Sequence, residues 1–164
     1  MLEEVQKVVF TTSRSPSPRS RTLLNALTLT LPSLKLTRGK KSMKEILSFA
    51  EREKALIVKI IEKSGNPRGF EILPKGEFLL FDGFSVVKGI KKLLQKNKVS
   101  KVVASEKEPL TEKAKKLKQF FLSLPASEGN FTTRVEIFQK GDREVLSLNV
   151  KGVECVNFYF RLNK

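Results

Sequence analysis

The order of apolar and polar positions divides this chain into alternating strand-like and helix-like segments. Val5 to Thr11 is a short apolar run and predicts a buried strand. Leu23, Leu24, Leu27 and Leu31 then recur at helical spacing and stop before Pro32. Thr28 and Thr30 lower the intrinsic helicity of that segment, so packing has to hold it. Leu34 to Thr37 predicts a short strand, after which Ser42 and Glu45 fit the S-x-x-E capping box, with Met43, Ile46, Leu47 and Ala50 on one helical face. Lys54 to Ile61 is apolar almost throughout and reads as a central strand covered on both faces. Gly65-Asn66-Pro67 breaks that run, and Phe70 to Leu73 and Phe78 to Phe81 follow as shorter strands around Pro74-Lys75-Gly76.

From Phe84 the order begins again. Phe84 to Val87 is strand-like, and Val87, Ile90, Leu93 and Leu94 predict a helix with Lys88, Lys91, Lys92 and Lys96 on its other face. Val99 to Ala104 is the next strand. Ser105 with Glu108 offers a second capping box, Pro109 suits an early helical position, and Leu110, Ala114, Leu117, Phe121 and Leu124 continue at helical spacing until Pro125 and Gly129. Phe131 to Phe138, Glu144 to Val150 and Glu154 to Leu162 predict a closing meander, with turns at Gly141-Asp142 and Lys151-Gly152. Both halves therefore read strand, helix, strand, helix, three strands. The expectation is an internally duplicated α/β fold with mixed sheets in a single domain over 1–164, its halves about 1–83 and 84–164. The halves share a pattern and no residue-level identity.

Composition adds a strong bias. The 164 residues hold 40% hydrophobic positions, enough for a core, yet carry a formal charge of +15. Nucleic acid is the first partner such a charge implies, and an anionic membrane surface the second. No apolar run approaches the length of a membrane span, and the opening Met1-Leu2-Glu3-Glu4 is acidic where a signal peptide is basic. A cytoplasmic protein with no membrane partner is expected. Cys155 stands alone in a strand-like run and reads as a small buried hydrophobe.

The charge is unevenly placed. Val5 to Lys44 contains nine Lys or Arg and no Asp or Glu, a net of +9; residues 86–118 net +8, and the remainder nets −2. At the heart of the first block lies Thr11 to Arg21, T-T-S-R-S-P-S-P-R-S-R, followed by the turn Arg38-Gly39-Lys40-Lys41. Pro16 and Pro18 keep the serines before them out of the α region, so this stretch is a loop. Pro18 suits the first helical position and Ser17 its N-cap, which places Arg19 and Arg21 on the opening turn. Backbone N–H groups, hydroxyls and guanidinium groups meeting at a helix N-terminus suit a phosphate. The candidate RNA-binding residues are Arg14, Ser17, Arg19, Arg21, Arg38, Lys40, Lys41 and Lys44. Ser13, Ser15 and Ser17 give a short likeness to an arginine-serine tract, but turn chemistry accounts for them.

Thr11-Thr12-Ser13-Arg14, Pro16-Ser17, Arg19 and Arg21, with Arg38-Gly39-Lys40 one helix and one strand later, resemble the opening signature of Brix domain proteins. The resemblance is specific over residues 8–45 and looser from Gly65 onward. It implies a role in ribosome biogenesis, with ribosomal RNA or its precursor as partner and assembly factors or ribosomal proteins as further ones. It also implies a fold of two anticodon-binding-domain-like halves. Lys75-Gly76-Glu77 stands where eukaryotic members carry Gly-Pro-Thr, which, with the bare length, is similar to the short archaeal members.

The second basic block offers secondary RNA-binding candidates in Lys88, Lys91, Lys92, Lys115 and Lys116. Lysines suit diffuse attraction, arginines on a constrained loop suit shaped contacts, and a solvated helix face is the plainer account of these lysines. In a thermophile such lysines would also be expected for stability. Most of the twelve Phe, including Phe49, Phe120 or Phe121, Phe158 and Phe160, fall at core positions of the pattern; with one Tyr and no Trp, base stacking on single strands has little support. Recognition of folded RNA by shape and phosphate fits better.

Catalysis finds little to work with. The chain has no histidine, the commonest general base and metal ligand. Gly39-Lys40-Lys41-Ser42 is similar to the end of a phosphate-binding loop, but Leu34 occupies the place of its leading glycine. No carboxylate pair for two-metal chemistry is evident from spacing. The expectation is a protein with no enzymatic activity, no cofactor and no metal. A tRNA-binding accessory module and a scaffold for acidic protein partners are the alternatives, followed by an RNA-processing nuclease. The pattern sets no oligomeric state.

Overall fold

The computed structural model describes residues 5–94 and 98–162; the predicted helical position Lys96 and the acidic opening residues lie outside them. In the first half β1 (Lys7–Thr11), α1 (Pro18–Thr30), β2 (Leu34–Lys35), α2 (Met43–Glu53), β3 (Ala55–Lys63), β4 (Asn66–Leu73) and β5 (Glu77–Leu80) follow one another. The second half consists of β6 (Gly83–Val86), α3 (Ile90–Leu93), β7 (Val99–Ala104), α4 (Glu112–Leu122), β8 (Phe131–Lys140), β9 (Arg143–Val150) and β10 (Val153–Arg161).

The strands form two mixed five-stranded sheets, ordered β2-β1-β3-β4-β5 and β6-β10-β9-β8-β7. As its apolar run predicts, β3 is central: Val58 and Ile60 face one core cluster while Ala55 and Ile57 face another. The element order repeats between halves but the strand order does not. β1 lies between β2 and β3, parallel to both, whereas its counterpart β6 pairs antiparallel with β10 at the far edge. The link between the halves explains this. Only Phe81 and Asp82 separate β5 from β6, and so short a span reaches about 10 Å. The second half must therefore start at the edge of its sheet, next to the edge where the first half ended.

Helices α1 and α4 fill the space between the sheets. α1 touches β1, β3 and β4 of the first sheet and β6, β9 and β10 of the second; α4 touches β5 on one side and β7 and β9 on the other. Phe10, Phe70, Phe81, Phe84, Phe121 and Phe158 join them in one core, with ring centroids from 4.9 to 6.5 Å apart in edge-on or tilted pairs. α2 covers the outer face of the first sheet through Ile46 and Ala50, and Phe49 beside them is half-buried. Cys155 is buried, and that burial pushes its thiol pKa up against a smaller effect of the Val150 backbone.

Local chemistry sets the boundaries. Ser42 and Glu45 form the predicted capping box, each side chain accepting the other's backbone N–H, and Lys54 closes α2 in the left-handed region. Lys151 and Gly152 both have positive φ, the turn that a two-residue hairpin link demands.

Three predicted features are corrected. α4 starts at Thr111, not Ser105: the Thr111 hydroxyl accepts from Ala114 N–H, and buried Glu144 accepts from the N–H groups of Leu110 (2.6 Å) and Thr111 (2.9 Å). Pro109, which disfavours helix in the residue before it, lies ahead of the helix rather than in it. α3 is a single turn, because Val87 N–H still bonds to Cys155 of β10 and Gly89 has φ 72°. Finally, Leu34 to Thr37 is a ladder for only two residues.

Candidate nucleic-acid interface

The loop from Thr12 to Ser17 leaves β1 and enters α1 as its prolines require. Ser17 is the N-cap, accepting Ser20 N–H at 3.1 Å, and Pro18 takes the first helical position. A carboxylate completes this end. Glu62 of β3 accepts the Ser17 N–H at 2.8 Å and the hydroxyl of Ser20. Burial pushes the Glu62 carboxyl up, but the bonds from Ser20 and Ser17 outweigh it and leave the pKa below its usual value. A negative group thus already sits where the sequence predicts a phosphate at the helix terminus, and Ser17 is occupied with capping.

The arginines gather instead on the flank of α1. Arg14, Arg21, Lys35 and Arg38 line a cavity of about 310 Å³, with Thr12, Asn25 and Thr37 among the remaining walls, and no Asp or Glu lines it. Arg38 is buried and fixed: its Nε donates to the Lys41 carbonyl at 2.8 Å and its Nη1 to the Thr12 carbonyl at 3.3 Å. It ties the signature loop to the Arg38–Lys41 turn and still has N–H groups free of these bonds. Arg14 and Arg21 are exposed. Lys35, absent from the predicted set, donates to Asn25 Oδ1 at 2.9 Å. Its signal was the strand period, since Lys35, Thr37 and Gly39 are alternate residues and all three line the cavity.

The other candidates lie elsewhere. The Arg19 guanidinium stacks on Phe84, 4.6 Å from the ring centroid, and so bridges α1 to β6. Lys40, Lys41 and Lys44 are exposed on the turn and the first turn of α2, outside the cavity lining. There the Glu45 carboxyl is held below its usual range, first by the Ser42 N–H and then by its hydroxyl, with smaller help from the charges of Lys41 and Arg14. Lys91 and Lys92 border a second, larger groove beside the C-terminal part of α1. Lys88 is exposed just before α3, and Lys115 and Lys116 are exposed on α4, lining neither cavity. Lys118, the last residue of the second basic block, is buried and paired with Glu108 at 3.1 Å.

Among the described residues no cluster of His, Cys, Asp or Glu could hold a metal ion, and no helix is long and apolar enough to cross a membrane.

Comparison with known proteins finds partial sequence matches and fuller matches of fold. Three curated archaeal proteins, each named a probable Brix domain-containing ribosomal biogenesis protein, align with the chain. The one from Saccharolobus solfataricus is 49% identical over 63 residues, covering 37% of each chain. Over these stretches the chain is similar to the archaeal Brix domain proteins. The Methanosarcina barkeri relative is 36% identical over 74 residues, 45% of this chain and 46% of its own, and that from Sulfurisphaera tokodaii 37% over 70 residues, 40% and 39%. The matches thus span less than half the length of these Brix relatives. No family model matches the sequence. Fold similarity extends further. The crystal structure of a probable ribosomal biogenesis protein from Aeropyrum pernix K1 superimposes with TM-score 0.69 at 18% identity, covering 96% of both chains. Mil, an archaeal Imp4-like protein, gives 0.64 at 21% identity, covering 93% of this chain and 96% of its own. This chain therefore has the mixed α/β fold of those two structures.

Proposed function

We propose that the chain is a non-catalytic ribosome biogenesis factor that holds ribosomal RNA, or its precursor, by the sugar-phosphate backbone. The observation that carries this reading is the cavity walled by Arg14, Arg21, Lys35 and Arg38 with no carboxylate in its lining. Arg38, pinned by two carbonyls, offers a fixed guanidinium; the three exposed cations around it close on a phosphate at the cost of side-chain entropy only. At about 310 Å³ the space sits at the small end of ligand sites and suits a sugar-phosphate unit. Exposed Lys40, Lys41 and Lys44 extend the footprint along the turn and α2, and Lys88, Lys91 and Lys92 add diffuse attraction. On this reading the two halves are variants of one anticodon-binding-like unit within a single cytoplasmic domain. Assembly factors or ribosomal proteins are the further partners.

The test is affinity for ribosomal RNA fragments and for tRNA across a salt series, comparing wild type with Arg14→Ala/Arg21→Ala/Lys35→Ala and with Lys115→Ala/Lys116→Ala. Each lost phosphate contact lowers the slope of log affinity against log salt by about 0.7 to 0.9. The triple variant should lose about 2 to 3 from that slope, and the α4 pair less than about 1. Equal slopes for all three proteins, or tighter binding to tRNA than to ribosomal RNA, would overturn the reading.

A further inference from the structure

Beside the cationic cavity, on the same flank of α1, lies a larger groove that RNA chemistry does not account for. Its volume is about 880 Å³, and its floor is apolar: Leu29 and Leu31 from α1 and its end, Leu34 of β2, Leu94 after α3, and Val99 of β7. Leu34 is 51% exposed here and adds an open apolar wall. Among the described residues Lys91, Lys92 and Lys98 line the same groove, against one acid, Glu128. β2 is an edge strand, so the groove also borders an open sheet edge.

We infer that this groove docks a short acidic, apolar segment of a partner protein. Each part of the occupant follows from a part of the site. Leucine or phenylalanine side chains would bury against the leucine floor, which offers a phosphodiester neither donors nor charge. Carboxylates flanking them would reach the three lysines, whose flexible ammonium groups suit carboxylates on a mobile peptide. The free edge of β2 can add main-chain hydrogen bonds to an extended segment. Glu128 is placed against a polyanion such as RNA and leaves room for a peptide that carries apolar groups at that end. The site shares no lining residue with the phosphate cavity, but Lys91 and Lys92 also add diffuse attraction for RNA, so Leu34→Ser is the variant that separates the two readings.

The probes are a fluorescein-labelled peptide alternating Leu or Phe with Glu, a copy with Lys for Glu, a copy with Ser for Leu and Phe, and a ribosomal RNA fragment. Anisotropy is read with wild type, Leu34→Ser and Lys91→Glu/Lys92→Glu. Both variants change exposed side chains, and circular dichroism checks that each is folded. The acidic apolar peptide should bind wild type at least about tenfold more tightly than either altered peptide, and each variant should lose about tenfold or more, a difference of about 1.4 kcal/mol. Leu34→Ser should leave RNA affinity unchanged, because it removes no charge. The proposal fails if the acidic peptide binds no better than its altered copies, if Leu34→Ser does not weaken it, or if Leu34→Ser weakens RNA as much as peptide.

Discussion

Replacing Glu62 by Gln tests the account of how the signature loop is held. The carboxylate of Glu62 accepts from Ser17 N–H and from the Ser20 hydroxyl at the positive end of α1. Gln keeps the shape and one acceptor oxygen but loses the charge. Hydrogen bonds to a charged group contribute about 1.5–3 kcal/mol against about 0.5–1.5 for neutral ones, so two of them lose roughly 2 kcal/mol. The helix terminus adds about 0.3–1 kcal/mol, and relief of carboxylate desolvation returns a similar amount. The net expectation is a loss of about 2 kcal/mol at pH 7, or a melting temperature lower by about 4–8 °C for a chain of this size. The pH dependence fixes the cause. The folded pKa of Glu62 lies below its usual value, so its stabilisation is fully present above the unfolded pKa of about 4.3 and is lost as pH falls through the lower, folded value. Urea titrations of both proteins should show a constant gap from pH 7 to about 5 that closes below about pH 4. Equal midpoints at pH 7, or a gap undiminished in acid, would refute the reasoning. A double-mutant cycle with Ser20→Ala should return a coupling of about 1 kcal/mol or more.

Three further outcomes are expected. A Cβ at Gly129 would come within 2.6 Å of the Lys98 carbonyl and 2.9 Å of Ser100 N, both backbone atoms, so Gly129→Ala should cost about 1–3 kcal/mol in a thermal melt. Cys155, buried and with a raised pKa, should resist alkylation by iodoacetamide in the native state at pH 8 and react readily once urea unfolds the chain. Asp82 accepts the Arg161 N–H at 2.8 Å and pairs with Lys113 at 3.3 Å where the two halves meet. Asp82→Asn should lower the urea midpoint by an amount equivalent to about 1 kcal/mol, mostly from the backbone bond, since the half-exposed ion pair contributes little.

What could be read from the sequence was whatever neighbours along the chain decide. Ser17-Pro18 and Ser42 with Glu45 set the starts of α1 and α2 as expected, and the nearly continuous apolar run from Ala55 placed β3 at the centre of its sheet. Features decided by distant residues escaped. The start of α4 depends on Glu144, which lies more than thirty residues on, so the nearer Ser105 and Glu108 misled. Lys118 has the spacing of a surface lysine but folds under Glu108 and the Lys107 carbonyl. At the candidate site, the loop arginines were evident from charge and proline, while their division into roles was not. Arg38 becomes a tie, Arg19 a bridge to Phe84, and Lys35 a wall of the cavity only because β2 lies against β1. The position of β6 likewise follows from a short link between sheets, which no periodicity within a strand encodes.

The two helices that fill the space between the sheets have a consequence for how this molecule can be cut, permuted and varied. The main core belongs to neither sheet alone, since α1 from the first half buries Leu23 and Leu27 in the same cluster as Phe158 and Leu148 of the second, and only the smaller cluster under α2 is the first sheet's own. The buried Thr133 hydroxyl also donates to the Thr30 carbonyl across the divide. A half made by itself would present one apolar sheet face and a bare helix to water and would aggregate. Calorimetry of the whole chain should accordingly give one transition, with calorimetric and van't Hoff enthalpies equal. Changes of length, by insertion or by a new terminus, suit outer turns such as those at Gly65, Gly141 and Gly152, where nothing lies within 4 Å of the place a Cβ would take.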